Sequence, residues 1–250
     1  MPENSRPARH GPGVELEGGP PPALSGKTVL VTGTGDVLAR MLAAEAARRG
    51  AVTATPGEIA ADDADCDRIV DAFITRFGHI DAAIATIGAP RLGALADMSL
   101  DVWQDSVIAP LRQAFWLARR VLWEFLAGGS GGRLVFVTEP PREWAAGATG
   151  HEPNTVVGGA LYSFARSIAK EVGSRAVACN VVLAAPASPA GGRRSRGEPW
   201  AASEDYFVQP LIESALYLAS ENASFVNGEA LTVCVGGHEP EAGAPPVGSP

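Results

Sequence analysis

Six short apolar runs punctuate the chain, at Thr28–Thr32, Ala51–Thr55, Ala82–Thr86, Arg133–Thr138, Ala178–Leu183 and Ala230–Val235. Between them lie longer stretches in which apolar residues return every three or four positions, at about Val37–Arg49, Asp65–Phe77, Leu100–Leu126, Thr155–Val172 and Pro210–Ala219. The short runs have the length of buried strands, and the long ones have the period of helices with one buried face. Their alternation predicts an α/β fold: a doubly wound parallel sheet covered by helices on both faces, in three layers, α/β/α. Asp62 stands where its carboxylate can take the free N–H groups of the second helix. In the fourth helix Val157, Leu161, Phe164, Ile168 and Val172 form a single stripe, which reads as core. Pro110 lacks the N–H that the third helix needs at its middle and is expected to kink it. Gly158-Gly-Ala160 permits close backbone approach in the fourth.

With 250 residues, 46% of them hydrophobic, the chain can bury one substantial core, placed at residues 25–237. Residues 1–24, which include Gly18-Gly-Pro-Pro-Pro22, lack the apolar stretch of a signal peptide and read as a disordered leader. Residues 238–250 read as a disordered tail. No apolar run is long enough to span a bilayer. The net charge of −8 argues against nucleic acid and anionic membrane as partners. Arg193, Arg194 and Arg196 sit in a Gly/Pro/Ser-rich stretch that reads as solvated loop. Cys66, Cys179 and Cys234 are far apart and form no CxxC pair, which fits buried reduced thiols in a cytoplasmic protein and no metal site.

The first strand runs into a glycine turn and a helix: Thr28-Val-Leu-Val-Thr-Gly33-Thr-Gly35-Asp-Val37-Leu-Ala39-Arg. This is a vestigial TGxxxGxG dinucleotide fingerprint of a Rossmann-like fold, with Val37 and Ala39 at the second and third glycine positions. Gly33 keeps the tight turn, and alanine is an accepted substitute where helix packs on strand. Val37 puts a β-branched side chain where phosphate oxygens approach the helix N-terminus.

In order and spacing, several strings resemble the short-chain dehydrogenase/reductase family over residues 25–237. Leu24-Ser-Gly-Lys-Thr-Val-Leu-Val-Thr-Gly33 is similar to its opening strand and turn, and Phe77-Gly-His-Ile-Asp81 to the lead into its fourth strand. Ser167-Ile-Ala-Lys-Glu-Val172 resembles its long active-site helix, and Leu218-Ala-Ser-Glu-Asn-Ala-Ser-Phe-Val-Asn-Gly228 its C-terminal segment. The resemblance implies a catalytic tyrosine and lysine at the positions of Asn154 and Gly158, a serine at Glu139 beside Thr138, and an asparagine at Pro110. The family's NNAG string becomes Ala85-Thr-Ile-Gly88. Its tyrosine works near neutral pH only with its pKa lowered by about three units, and neither Asn154 nor Gly158 can supply that chemistry. From Gly50 to Ile80 the chain is also short by one edge strand and one helix. No residue around Thr55-Pro-Gly57 matches the family's ribose-selecting charge, and its adenine-contacting aspartate falls at Ile59. These replacements imply that no NAD(P) cofactor binds.

Three functions follow as expectations. The first is a non-catalytic subunit that pairs with an intact family paralogue, or with itself, through helices 100–126 and 155–172. Those helices carry Trp103, Phe115, Trp116, Leu122 and Phe125, and the complex would act on a carrier- or CoA-bound hydroxyacyl or keto substrate. The second is a non-redox lyase, dehydratase, cyclase or isomerase. There Glu139 is general base, Thr138 and Asn154 orient substrate and His151 exchanges protons, beside a loop that also carries Arg142, Trp144 and Glu152. An ordinary NAD(P)-dependent member is the third. Tyr162-Ser-Phe-Ala-Arg166 has the YxxxR form of the halohydrin dehalogenases. However, it lies about two turns, or ~12 Å, past the family tyrosine and reads as helix packing.

Overall fold

The central strands are buried on both faces, which is what near-continuous runs of Val, Ile, Ala and Phe impose on a parallel sheet. The computed structural model describes residues 23–33, 36–55, 60, 62–88, 95–139, 152–186 and 204–235. In chain order these form β1 (Thr28–Gly33), α1 (Asp36–Arg48), β2 (Val52–Ala54), α2 (Asp63–Phe77), β3 (Ala82–Ile87), α3 (Leu100–Trp103), α4 (Ala109–Gly128), β4 (Gly132–Thr138), α5 (Glu152–Val172), β5 (Val177–Pro186), α6 (Glu204–Ala219) and β6 (Ala230–Val235). Among the described residues the sheet has six strands in the order β2-β1-β3-β4-β5-β6, and every described pairing is parallel. The doubly wound, three-layer fold is as the sequence predicts. Only residues 55–62 separate β2 from α2, too short a span for a further helix and edge strand.

Alternation along each strand divides the interior into two cores. Leu30, Ala83, Ala85, Leu134, Phe136, Cys179 and Val181 face α2, α4 and α5. Val29, Val31, Ile84, Val135, Val137 and Val182 face α1 and α6. The stripe Val157, Leu161, Ile168 and Val172 is buried and Phe164 packs at its border. Leu24 is buried too, so packing starts just ahead of residue 25. Otherwise the leader and tail, and the arginines at 193–196, lie outside the described residues.

The strings that carry the family resemblance have local causes. Asp62 caps α2 by accepting the Asp65 N–H at 2.8 Å, and Gly78 closes the helix at φ 88° by donating to the Ile74 carbonyl. Asp81 then ties β3 to β1, accepting from the Thr28 N–H at 2.7 Å and from the Thr28 hydroxyl at 2.9 Å. Near the C-terminus, Asn227 accepts from the Cys179 N–H, and Asn180 accepts from the Glu229 N–H, locking residues 227–229 onto β5.

Two helices differ from expectation. Ahead of Pro110, where a kink is expected, the helix has a π turn over Gln104–Ile108, in which the Ala109 N–H reaches back to the Gln104 carbonyl. A proline ring clashes with the carbonyl four residues earlier, here that of Ser106, and a widened turn relieves the clash. Helix α6 begins at Glu204 rather than Pro210, because the proline sits inside the helix with its ring exposed.

The tightest contact joins β1 to β3. A Cβ on Gly33 would overlap Thr86 Oγ1, and would lie 3.0 Å from Thr86 Cβ and 3.2 Å from Ala39 Cβ. Gly33→Ala is therefore expected to cost about 1–3 kcal/mol by overpacking. Thr86→Ala alone should cost little, because the hydroxyl it removes is buried and unpartnered. In urea denaturation the double variant should recover most of the loss. Simple additivity would mean that Thr86 is not what restricts residue 33.

Candidate active site

Strand order reverses between β1 and β3, with α1 leaving on one face of the sheet and α2 on the other. A sheet wound in this way opens a crevice at the carboxyl ends of the strands on either side of the reversal. The crevice is lined by Thr32, Gly33, Ala60, Cys66, Ile69, Ala85, Thr86, Ile87, Gln113 and Leu117. Its walls are mainly apolar, and the floor between them is narrow, about 40 Å³. Two oxygens break the pattern: Thr86 Oγ1 and Gln113 Oε1 are buried with no hydrogen-bond partner. Each such oxygen costs roughly 1–3 kcal/mol until something satisfies it. Gln113 was missed in the sequence, where it is one more polar residue on an amphipathic helix. Only its distance of one turn from Pro110 marks it.

The Cys66 thiol lies in the same wall. Burial, and then the charges of Asp67 and Asp63, push its pKa up from 9.0 to about 11, so it is a neutral thiol at physiological pH. Burial raises the Cys179 thiol further still.

A second group lies at the end of β4 and the start of α5. Thr138 is buried, and its hydroxyl accepts the Ala184 N–H at 2.8 Å, so that oxygen serves the sheet. Glu139 is half-buried and its N–H donates to the Ile87 carbonyl at 3.0 Å, extending the β3–β4 register. Asn154 is 3% exposed, and its Oδ1 has no partner. One turn later Gly158 is buried. A Cβ there would lie 3.1 Å from Leu183 Cδ2 and 3.7 Å from Thr138 Cγ2. The fold thus gathers Thr138, Asn154 and Gly158. The buried, unpartnered Ser106 hydroxyl belongs to the π turn on the helix that carries Pro110. Gly35, His151, Arg142, Trp144 and Ile59 lie outside the described residues. Tyr162 carries the Arg166 guanidinium 5.5 Å over its ring. Among the described residues no cluster of His, Cys, Asp or Glu could hold a metal ion, and no helix is long and apolar enough to cross a membrane.

Comparison with known proteins gives the class. The family described as enoyl-(acyl carrier protein) reductase matches residues 23–238. The chain is 25% identical to the 3-oxoacyl-[acyl-carrier-protein] reductase FabG of Salmonella typhimurium, over 84% of this chain and 97% of the relative. It is 25% identical to the (2S)-[(R)-hydroxy(phenyl)methyl]succinyl-CoA dehydrogenase subunit BbsD of Thauera aromatica, over 68% and 70%. It is 26% identical to the L-rhamnose 1-dehydrogenase (NAD(P)(+)) of a Sphingomonas strain, over 64% and 72%. A solved short-chain dehydrogenase/reductase from Serratia marcescens superposes with a TM-score of 0.68 at 19% identity, covering 85% of this chain and 97% of that one. The chain belongs to the short-chain dehydrogenase/reductase family.

These matches correct the expectation that no cofactor binds: the relatives are reductases and dehydrogenases, one of them named for NAD(P)(+). The structure supplies the physical reason. Main-chain N–H groups at a tight turn and a helix N-terminus can hold a pyrophosphate without help from side chains, and here β1 ends at Gly33 and α1 starts at Asp36. Val37 itself is half-buried, and Ala39 is buried against the Gly33 turn. The missing edge strand would lie beyond β2, away from the β1–β3 crevice. The unsatisfied oxygens of Thr86 and Gln113 add a demand that a nucleotide can meet.

The buried thiol offers a direct check on the crevice. A pKa raised by two units lowers the thiolate fraction at pH 8 by about 100-fold. Iodoacetamide should therefore label Cys66 at least that much more slowly in the native protein than in urea, as followed by peptide mass spectrometry. Rapid native labelling would place Cys66 outside the closed wall.

Proposed function

We propose that this protein is a cytoplasmic, nucleotide-binding subunit of a heteromeric short-chain dehydrogenase/reductase, paired with an intact paralogue that acts on carrier- or CoA-bound keto or hydroxyacyl substrates. The observation that carries this reading is the fit at Gly158. Glycine supplies no cation beside residue 154, and a Cβ on Gly158 would press on Leu183 Cδ2 at 3.1 Å. A proton relay near neutral pH needs a titratable group and a charge to tune it, and Asn154 with Gly158 offers neither. NAD(P), when bound, supplies or accepts a hydride. In this chain Gly33 and the start of α1 would hold its phosphates, and the β1–β3 crevice would hold one end.

The outer faces of the long helices support the pairing. Ile108, Phe115 and Leu126 fall on one exposed stripe, with Leu100 and Trp123 exposed nearby and Val156 exposed on α5. Phe125, by contrast, belongs to the core, while Trp103, Trp116 and Leu122 pack partly against it. An apolar stripe of this kind supports a docking role for these helices. FabG is named for an acyl-carrier-protein substrate, and BbsD is named as a subunit of a CoA-thioester dehydrogenase. The family match over residues 23–238 also favours a second reading, a stand-alone NAD(P)-dependent reductase.

One measurement tests the cofactor that both readings share, and a second separates them. Titration with NADH and NADPH, followed by tryptophan fluorescence, is expected to show micromolar binding. Co-expression with an intact paralogue should give a mixed oligomer with acyl-thioester reductase activity that this protein alone lacks, and Phe115→Asp should prevent its assembly. Turnover by the purified chain alone would establish the stand-alone reading instead.

A further inference from the structure

The crevice asks for a particular kind of ligand edge. Ala60, Ile69, Ala85, Ile87 and Leu117 make apolar walls suited to a flat ring, while Thr86 Oγ1 and Gln113 Oε1 wait in the interior without partners. Gln113 Oε1 can only accept, so the group it lacks is a donor, while the Thr86 hydroxyl can pair with either kind of group. With room for no more than a few waters, the floor admits the edge of a ring and not its whole body. A flat heterocycle bearing an amino group satisfies all of these conditions. A nicotinamide dinucleotide carries such groups at both ends. Its reacting end belongs near Asn154 and Gly158, at the β4–α5 end of the sheet. The β1–β3 crevice, walled by α2, is left for the adenine.

We propose that the amide oxygen of Gln113 accepts a hydrogen bond from the exocyclic amino group of adenine, in the crevice that Thr86 also lines, and so makes the crevice selective for adenine over other purines. This rests on the reading above that the chain binds NAD(P). The residue before Ala60 is Ile59, which offers no acceptor, so selection falls to α4 and β3.

The test uses the full chain with whichever of NADH and NADPH binds, and with the matching hypoxanthine dinucleotide, whose carbonyl replaces the amino group. Fluorescence titration of the wild type should show about tenfold tighter binding of the adenine form, the scale of one buried hydrogen bond. Gln113→Leu should bring the two affinities together by weakening the adenine form, whereas Gln113→Glu, which keeps an acceptor, should retain the preference. Circular dichroism melts of both variants establish that they are folded. If the wild type does not discriminate, or a folded Gln113→Leu still prefers adenine, the inference is overturned and cofactor binding stands, the two oxygens then serving a buried water. If neither dinucleotide binds the wild type, the cofactor reading fails and this inference with it.

Discussion

Thr86 occupies the space that any side chain at residue 33 would need, and much of the site follows from that one contact. The two residues are register partners on adjacent strands, so the close approach fixes where β1 must turn. It also fixes α1, because Ala39 closes on the same glycine. A larger residue at 39 would push the helix off the strand, and a larger one at 33 would push β1 off β3. The atom of the threonine that presses against Gly33 is its hydroxyl oxygen, which is buried without a partner on a residue that lines the crevice. One packing constraint therefore sets the turn, the helix that follows it and the polarity of the crevice.

Helix α4 couples that crevice to the outer surface. Gln113 and Leu117 line the crevice, Ala114, Ala118, Val121 and Phe125 fill the core, and Phe115 and Leu126 face outward. No part of its circumference is idle. The π turn at Gln104–Ile108 sets how this helix leaves α3, and Pro110 makes an ordinary α turn there costly. A rotation of α4 that moved Phe115 outside would also move Gln113 inside, because one helix carries both.

What the sequence makes legible is whatever each residue decides locally. Strands such as Leu134-Val-Phe-Val137 can be read because burial on both faces demands unbroken apolar runs. Asp62 can be read because a cap is a contact over three residues. The π turn is harder, since proline announces a break without saying how the backbone heals it. The start of α6 at Glu204 is hidden by the same ambiguity, as proline favours a first turn yet is tolerated within a helix. Gln113 is invisible because its meaning lies in what surrounds it across the sheet. The expected absence of a cofactor has a related cause: side-chain identity is a weak guide at a phosphate site, where main-chain N–H groups can do the binding.

Loss of the edge strand is tolerable because of where it falls. Strand β2, one of the two edges of the described sheet, runs only from Val52 to Ala54 and pairs with residues 28–30 of β1. A strand this short offers another chain little to pair with, which limits the hazard of an open edge. Beyond its end, β1 continues through Val31, Thr32 and Gly33 paired to β3 alone. The carboxyl end of β1, where the crevice opens, is thus supported from the β3 side by contacts the missing strand never supplied. Shortening one edge of the sheet removes surface beside β2 and leaves the Gly33–Thr86 junction, and the floor built on it, intact.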